Sequence, residues 1–268
     1  MSSSLSFAGT NSSNIVIPYS TDLDFGTGEF TIEWYQYQTD TNLFPRPFAR
    51  GTASPPAPPF EYETIGVSIE ESQSGGRRFY LWTLDSIGGS MSIESSPPRW
   101  IHFAIVRSGT TTTVYMNGVS QFSFTDLNDY YSEHNLTIGN ETIPSDDNAA
   151  AFGGYMAYFS YNKGYARYTT PTFTVSNTYP PVVASTVIMV NAAGAYGSLA
   201  SSAIYSEITT VPETPFVTPP SPSGPPIPYS QMVQSLFANN TRVYYKPNSL
   251  AWSIGSTVRN SRAVSKRT

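Results

Sequence analysis

Apolar and polar residues alternate in short runs along most of the first two hundred positions, and turn-forming residues separate the runs. Phe30-Thr31-Ile32-Glu33-Trp34-Tyr35 alternates, as do Phe79-Tyr80-Leu81-Trp82 and, more weakly, Ile65-Gly66-Val67-Ser68-Ile69. A period of two is the signature of a strand with one buried face. Trp100 to Val106 is apolar on both faces apart from His102, which predicts a strand at the centre of a sheet. Val114-Tyr115-Met116 and Val119-Ser120-Gln121 flank Asn117-Gly118. Asn-Gly between two such runs predicts a hairpin, because a type I′ turn needs positive φ at both central residues. Leu136 to Gly139 and Tyr155 to Tyr161 supply further strands, and Thr186 to Val190 a closing one. No heptad or long amphipathic helix competes with this reading, and many short strands with frequent turns predict an all-β sandwich.

Proline breaks the pattern twice. Leu43 to Phe60 holds six prolines, which cannot donate to a ladder, and is expected to be a long excursion loop between strands. Val211 to Ser230 holds eight, which predicts a semi-rigid, extended linker. The expected organisation is a sandwich over residues 1–205, a proline-rich linker over 206–230 and a short basic tail over 231–268. Met232 to Phe237 has room for one helical turn, but the tail is too short to build a core of its own.

Charge sharpens the division. Residues 1–230 carry 8 Lys/Arg and all 19 Asp/Glu, a net of −11; residues 231–268 carry 6 Lys/Arg and no acid, a net of +6. A basic tail on an acidic body points to an electrostatic partner for the tail. Only 12% of residues are charged but 14% are aromatic, so the chain can bury a core. There is no cysteine, which excludes disulfides, thiolate nucleophiles and Cys-based zinc sites. Met1-Ser2-Ser3-Ser4-Leu5 has no basic flank and no long apolar run, and the most apolar window, Val182 to Val190, is too short to span a bilayer. The expectation is a soluble protein made without classical secretion and without membrane insertion.

Several segments together resemble one family. Trp100-Ile101-His102-Phe103-Ala104-Ile105-Val106-Arg107 followed by Val114-Tyr115-Met116-Asn117-Gly118 resembles the central signature of the concanavalin A-like, laminin-G-type jelly roll. Phe30 to Trp34 resembles its early strand. Leu136 to Gly139, Gly153 to Phe159 and Ala166 to Thr169 resemble its late segments. The resemblance covers roughly residues 3–195 and implies two antiparallel sheets packed face to face. It leaves function open, since such folds host lectins, adhesion modules, glycosidases and viral structural proteins. The C-terminal run, Arg242 to Leu250 and Val258 to Thr268, resembles the basic tails of structural proteins in large DNA viruses of algae and protists.

Candidate chemistry is sparse. Glycosidases of this fold need two facing carboxylates, and the nearest pairs are Glu61 with Glu63 and Glu70 with Glu71. Glu61 and Glu63 adjoin the proline-rich stretch, where a solvated edge is the simpler reading. His102 reads as a packed histidine rather than a general base, and His134 as a loop residue. Asp146, Asp147 and Asn148 are the metal candidates: the fold's relatives often hold calcium on loops through oxygen ligands, and hard cations want such groups. A solvated turn explains the same residues. Sequons stand at Asn11, Asn135, Asn140 and Asn239. Tyr130, Tyr131, Tyr161 and Tyr165 read as exposed tyrosines that could stack on sugars or fill an interface; ordinary sandwich packing explains them too, and alternation does not decide between the two.

These features predict a non-enzymatic structural or interaction protein, a minor virion component located in the particle or, during assembly, in the host cytoplasm. Its partner-binding residues are Arg242, Tyr244, Tyr245, Lys246, Trp252, Arg259, Arg262, Lys266 and Arg267, which would dock on other virion proteins such as the major capsid protein. The acidic body disfavours nucleic acid. The alternative is a lectin-like module that recognises host or capsid glycans.

Overall fold

In the computed structural model, the described residues are 3–39, 42–51, 63–71, 76–84, 86–93, 99–141, 149–212 and 214–216. They lie within one compact unit, Met1–Val217; a second unit, Thr218–Thr268, falls outside them. Sixteen strands run along the described chain. They are β1 (Ser4–Ala8), β2 (Asn14–Ile17), β3 (Phe30–Gln38), β4 (Phe48–Gly51), β5 (Glu63–Glu71), β6 (Arg77–Thr83), β7 (Ser86–Ile93) and β8 (Ile101–Ser108), then β9 (Thr111–Met116), β10 (Val119–Thr125), β11 (Leu136–Ile138), β12 (Gly153–Lys163), β13 (Thr186–Asn191), β14 (Gly194–Tyr196), β15 (Ile204–Ser206) and β16 (Thr209–Val211). The only helical pieces among the described residues are two short 3₁₀ turns.

The strands form an all-β antiparallel sandwich. One sheet has nine strands, ordered β10-β9-β8-β3-β12-β1-β16, with β13 also on β12 and β14 on β13. The other has seven, ordered β15-β2-β11-β4-β5-β6-β7. β8 lies between β3 and β9, as its apolar faces predict. Between the sheets, Trp34 is stacked on Phe103 at 5.2 Å and meets Phe48 edge-on at 5.4 Å. Phe79 and Phe159 complete this cluster. Ile32, Ile65, Val67, Leu81, Ile105, Ile138 and Ile188 fill the space around it, fully buried.

The hairpin at Asn117-Gly118 forms as expected, with φ of 50° and 78°. A Cβ at Gly118 would overlap the carbonyl of Phe173, so this turn needs glycine for space as well as for φ.

Four expectations change. The segment from Leu43 to Phe60 is not all loop, because Phe48–Gly51 forms β4, paired with β11 and β5. Its prolines lie outside these four residues, whose amides can bond, and burial of Phe48 against Trp34 holds the strand. Tyr130 and Tyr161 are buried rather than exposed. Their hydroxyls are satisfied inside, by Asp126 Oδ2 at 2.9 Å and the Leu23 carbonyl at 2.8 Å, which removes the usual cost of burying a phenol. Tyr131 and Tyr165 are exposed. Finally, β13 does not close the fold: β14, β15 and β16 follow it. β16 pairs with β1 through Ser4↔Val211 and Ser6↔Thr209, so the ladder continues past residue 205.

Candidate functional site

The two outer faces of the sandwich differ. That of the nine-stranded sheet is covered by the chain itself. Residues 164–179 cross it, and beneath them lie Glu33 of β3, His102 of β8 and Tyr158 of β12, all buried. Alternation sends these side chains outward while Trp34, Phe103 and Phe159 point in. Glu33 Oε2 accepts from the Tyr168 hydroxyl at 2.8 Å and lies 3.5 Å from His102 Nε2. Arg167 Nε stands 3.0 Å from Glu33 Oε1, an ion pair rather than a well-directed hydrogen bond. His102 Nε2 is 3.1 Å from the Tyr158 hydroxyl. Burial, then the Glu33 charge, pushes the Tyr158 and Tyr168 phenols well above their ordinary range. Glutamate, histidine and tyrosine converge here, but Glu33 and His102 are 0% exposed, so the cluster presents no acid or base to a solvent-borne substrate. The buried His102 read from the sequence is therefore a packed one.

The outer face of the seven-stranded sheet is partly exposed along β6 and β7, whereas on β5 Gly66 and Ser68 are buried and Glu70 is partly exposed. Pairing aligns them in three rows across the strands: Gly66–Trp82–Ile87, Ser68–Tyr80–Ser90 and Glu70–Arg78–Ser92. Phe79, Leu81 and Thr83 of the same β6 strand are buried on the other side, which puts Arg78, Tyr80 and Trp82 outward. The Tyr80 and Trp82 rings are 6.4 Å apart and tilted by 37°. Trp82 Nε1 donates to Ser68 Oγ at 2.9 Å, and Ser68 Oγ donates to Glu70 Oε1 at 2.8 Å. This relay fixes the indole edge. The Arg46 guanidinium lies 5.8 Å from the Trp82 ring centre, and that of Arg78 lies 6.0 Å from that of Tyr80. Ile87, 50% exposed, extends the apolar surface beside Trp82.

The structure brings few of the residues singled out in the sequence to this face. Glu70 and Glu71 are consecutive residues of β5, in register with Arg78 and Arg77 of β6. Glu61 lies outside the described residues, as do the metal candidates Asp146, Asp147 and Asn148. The same holds for Met232 to Phe237, Asn239 and the tail residues Arg242, Tyr244, Tyr245, Lys246, Trp252, Arg259, Arg262, Lys266 and Arg267. Among the described residues no three His, Cys, Asp or Glu side chains group to hold a metal ion. Asn140 is buried and donates to Asn11 Oδ1 at 3.1 Å, so that sequon is closed to a glycan. His134 sits in a bend after Ser132. The platform itself, Tyr80 with Trp82, fell within a run read only as a strand; the signal available was two aromatics at i and i+2 with an arginine two positions before.

Comparison with known proteins agrees with the fold. The family model described as Concanavalin A-like lectin/glucanases superfamily matches residues 9–161. No curated protein matches the sequence. Among solved structures, a Bacteroides ovatus protein assigned to carbohydrate binding is similar at a TM-score of 0.51 and 14% identity, covering 80% of this chain and 61% of its own. The native heptameric SAP-like pentraxin from Limulus polyphemus is similar at a TM-score of 0.45 and 16% identity, covering 60% of this chain and 75% of its own. Domains LG4-5 of the mouse laminin alpha1 chain reach a TM-score of 0.40 at 11% identity, over 60% of this chain and 42% of theirs.

Proposed function

Since the chain belongs to the concanavalin A-like lectin/glucanases superfamily, we propose that it is a non-catalytic, lectin-like module that binds a glycan on the Tyr80–Trp82 face of the seven-stranded sheet. The observation that carries this reading is the ring pair itself. Two aromatic rings stand on one strand, flanked by the charged groups of Arg46, Arg78 and Glu70 and by the hydroxyl of Ser90. A sugar offers apolar C–H faces to stack on the rings and hydroxyls that both donate and accept. Few polar groups fix orientation while the rings supply area, as in ordinary ligand sites. The fold does not choose the sugar. Glycan-array binding by the full chain, lost in Trp82→Ala with the melting temperature unchanged, is the expected result. Binding that survives Trp82→Ala and Tyr80→Ala together refutes the site.

The charge division favours a second reading. An acidic body and a tail of net +6 suit a structural protein of a viral particle that docks through Arg242, Lys246, Arg259, Arg262, Lys266 and Arg267, with Tyr244, Tyr245 and Trp252 as anchors. Mass spectrometry of purified particles tests it, and absence of the protein from them removes it.

A further inference from the structure

The cover on the nine-stranded sheet is unlike a piece of core. No residue from Gly164 to Tyr179 is itself buried, yet this segment packs over Glu33, His102, Ala104, Val106 and Tyr115, while Phe216 stacks on Tyr158 beside it. It forms no continuous ladder with the sheet; its ends are tied by Gly164 N donating to Glu29 O at 2.7 Å and the Tyr179 hydroxyl donating to Ser3 O at 2.9 Å, and the Tyr115 hydroxyl donates to Tyr168 O at 3.3 Å. Thr31 Oγ1 donates to the Tyr165 carbonyl at 2.7 Å and accepts from Arg167 N at 2.9 Å. Ser120 N donates to Pro171 O at 2.9 Å and Phe173 N to Gly118 O at 2.8 Å, on either side of the isolated bridge Val119↔Thr172. Tyr168 and Phe173 stack on one another at 3.6 Å and both also lie against Tyr115.

Polar groups dominate the middle of the buried contact. The Arg167–Glu33 pair and the Tyr168–Glu33 hydrogen bond sit there. His102 Nδ1 and Arg167 Nη2 have no hydrogen-bond partner. A buried ion pair contributes little net stability when both ions can return to water together, although stranding one of them is costly. Lifting the whole segment hydrates both ions at once and satisfies the two unpaired nitrogens. Lifting β3, β6 or β8 would instead expose Trp34, Phe79 and Phe103. Release of the segment thus spares the inner core, as expected of a unit that opens below the global unfolding transition.

We propose that Gly164–Tyr179 is a strap that opens as a unit while the sandwich stays folded, uncovering Glu33 and His102. This inference is independent of ligand binding on the other sheet. Native-state hydrogen exchange on the full chain tests it. The amides of Arg167, Phe173 and Ser120 report the strap, and those of β3, β8 and β12 report the sandwich. The strap amides are expected to exchange together, at least tenfold faster than the sandwich amides and with a shallower denaturant dependence. Tyr168→Phe, which removes one bond to Glu33, should speed only the strap. The chain has no cysteine, so a pair introduced as Val119→Cys with Thr172→Cys is unambiguous. The two positions face each other without direct backbone bonds, the geometry in which Cβ atoms come closest. The oxidised pair should slow strap exchange at least tenfold relative to its reduced form. Strap amides that exchange only with the sandwich, at the same rate and denaturant slope, overturn the proposal. So does fast exchange that the closed disulfide leaves unchanged.

Discussion

Replacing Arg167 by methionine isolates the electrostatics under the strap. Methionine keeps much of the stem's volume but leaves Glu33, which is 0% exposed, with no cation. Its carboxylate would then depend on the Tyr168 hydroxyl and the more distant His102 and Tyr158. Removing one partner of a buried pair costs about 3–5 kcal/mol. The Arg167 side chain is 10% exposed, so the lower end applies, about 3 kcal/mol. For a domain of this size that lowers the melting temperature by roughly 6–12 °C. Glu33→Gln should cost less, because the released guanidinium can swing to water. The double variant should lie closer to the wild type than Arg167→Met alone, with a coupling of about 1–3 kcal/mol. Urea and thermal unfolding of the four proteins measure all three quantities. If Arg167→Met stays within about 0.5 kcal/mol of the wild type, the range of ordinary surface substitutions, then the pair is not a buried charge lock and the reasoning fails.

Gly118→Val should destabilise the sandwich by at least about 1–2 kcal/mol from left-handed backbone strain alone, with more from overlap with the Phe173 carbonyl; an unchanged urea midpoint would contradict the turn. Burial is the first cause raising the Tyr130, Tyr158, Tyr161 and Tyr168 phenols, so each stays protonated in the folded chain and ionises at its ordinary value of 10 once unfolded. Stability should therefore be unaffected by these groups below about pH 10 and fall above it, by up to about 1.4 kcal/mol per pH unit for each, and tyrosinate absorbance should show them appearing only with unfolding. A chain ending after Val217 should melt near the full-length value, whereas one ending after residue 205 should melt roughly 4–8 °C lower. The shorter chain loses the β16 pairing and Phe216, whose burial against Tyr35, Tyr158 and Tyr179 contributes about 2 kcal/mol; equal melting of the two chains would contradict this.

Strands were legible in the sequence where one face is apolar and branched or aromatic residues dominate. β3, β6 and β8 satisfy both conditions, and the Asn117-Gly118 turn adds a backbone requirement that few other dipeptides meet. β4 was hidden because Pro45, Pro47 and Pro55 surround it, and its strand form depends on Phe48 reaching Trp34 across the core, a contact no local window contains. β7 was hidden because Ser86 to Ile93 is rich in serine and glycine. Gly89 is there for a long-range reason: a Cβ would overlap the Phe122 ring, which β10 of the other sheet lays against it. Tyr130 and Tyr161 were misplaced because alternation says nothing of whether a phenol will find an internal acceptor. The binding face was half legible. The run Phe79 to Trp82 shows which side chains share a side, but only the pairing with β5 and β7 shows that Ser68, Glu70 and Ser90 join Tyr80 and Trp82.

The two outer faces are linked by what covers them. Both carry aromatic and charged residues on a sheet, the composition from which glycan and protein sites are made. On the nine-stranded sheet the chain supplies its own occupant, in Arg167 against Glu33 and in Tyr168 and Phe173 beside Tyr115 and His102. While the strap is closed, a ligand approaching that face meets exposed backbone and side chains of residues 164–179 rather than the polar cluster. On the seven-stranded sheet, Tyr80 and Trp82 remain partly exposed, with the indole N–H already bonded to Ser68. A donor satisfied within the protein costs nothing to desolvate when a ring stacks above it. A prearranged indole also loses little freedom on binding, whereas the covered face requires the strap to open first. The ligand that binds fastest and with least rearrangement should therefore use the Tyr80–Trp82 face. Locking the strap through the Val119–Thr172 disulfide should leave that binding unchanged, and loss of glycan binding in the locked protein would move the site to the other sheet.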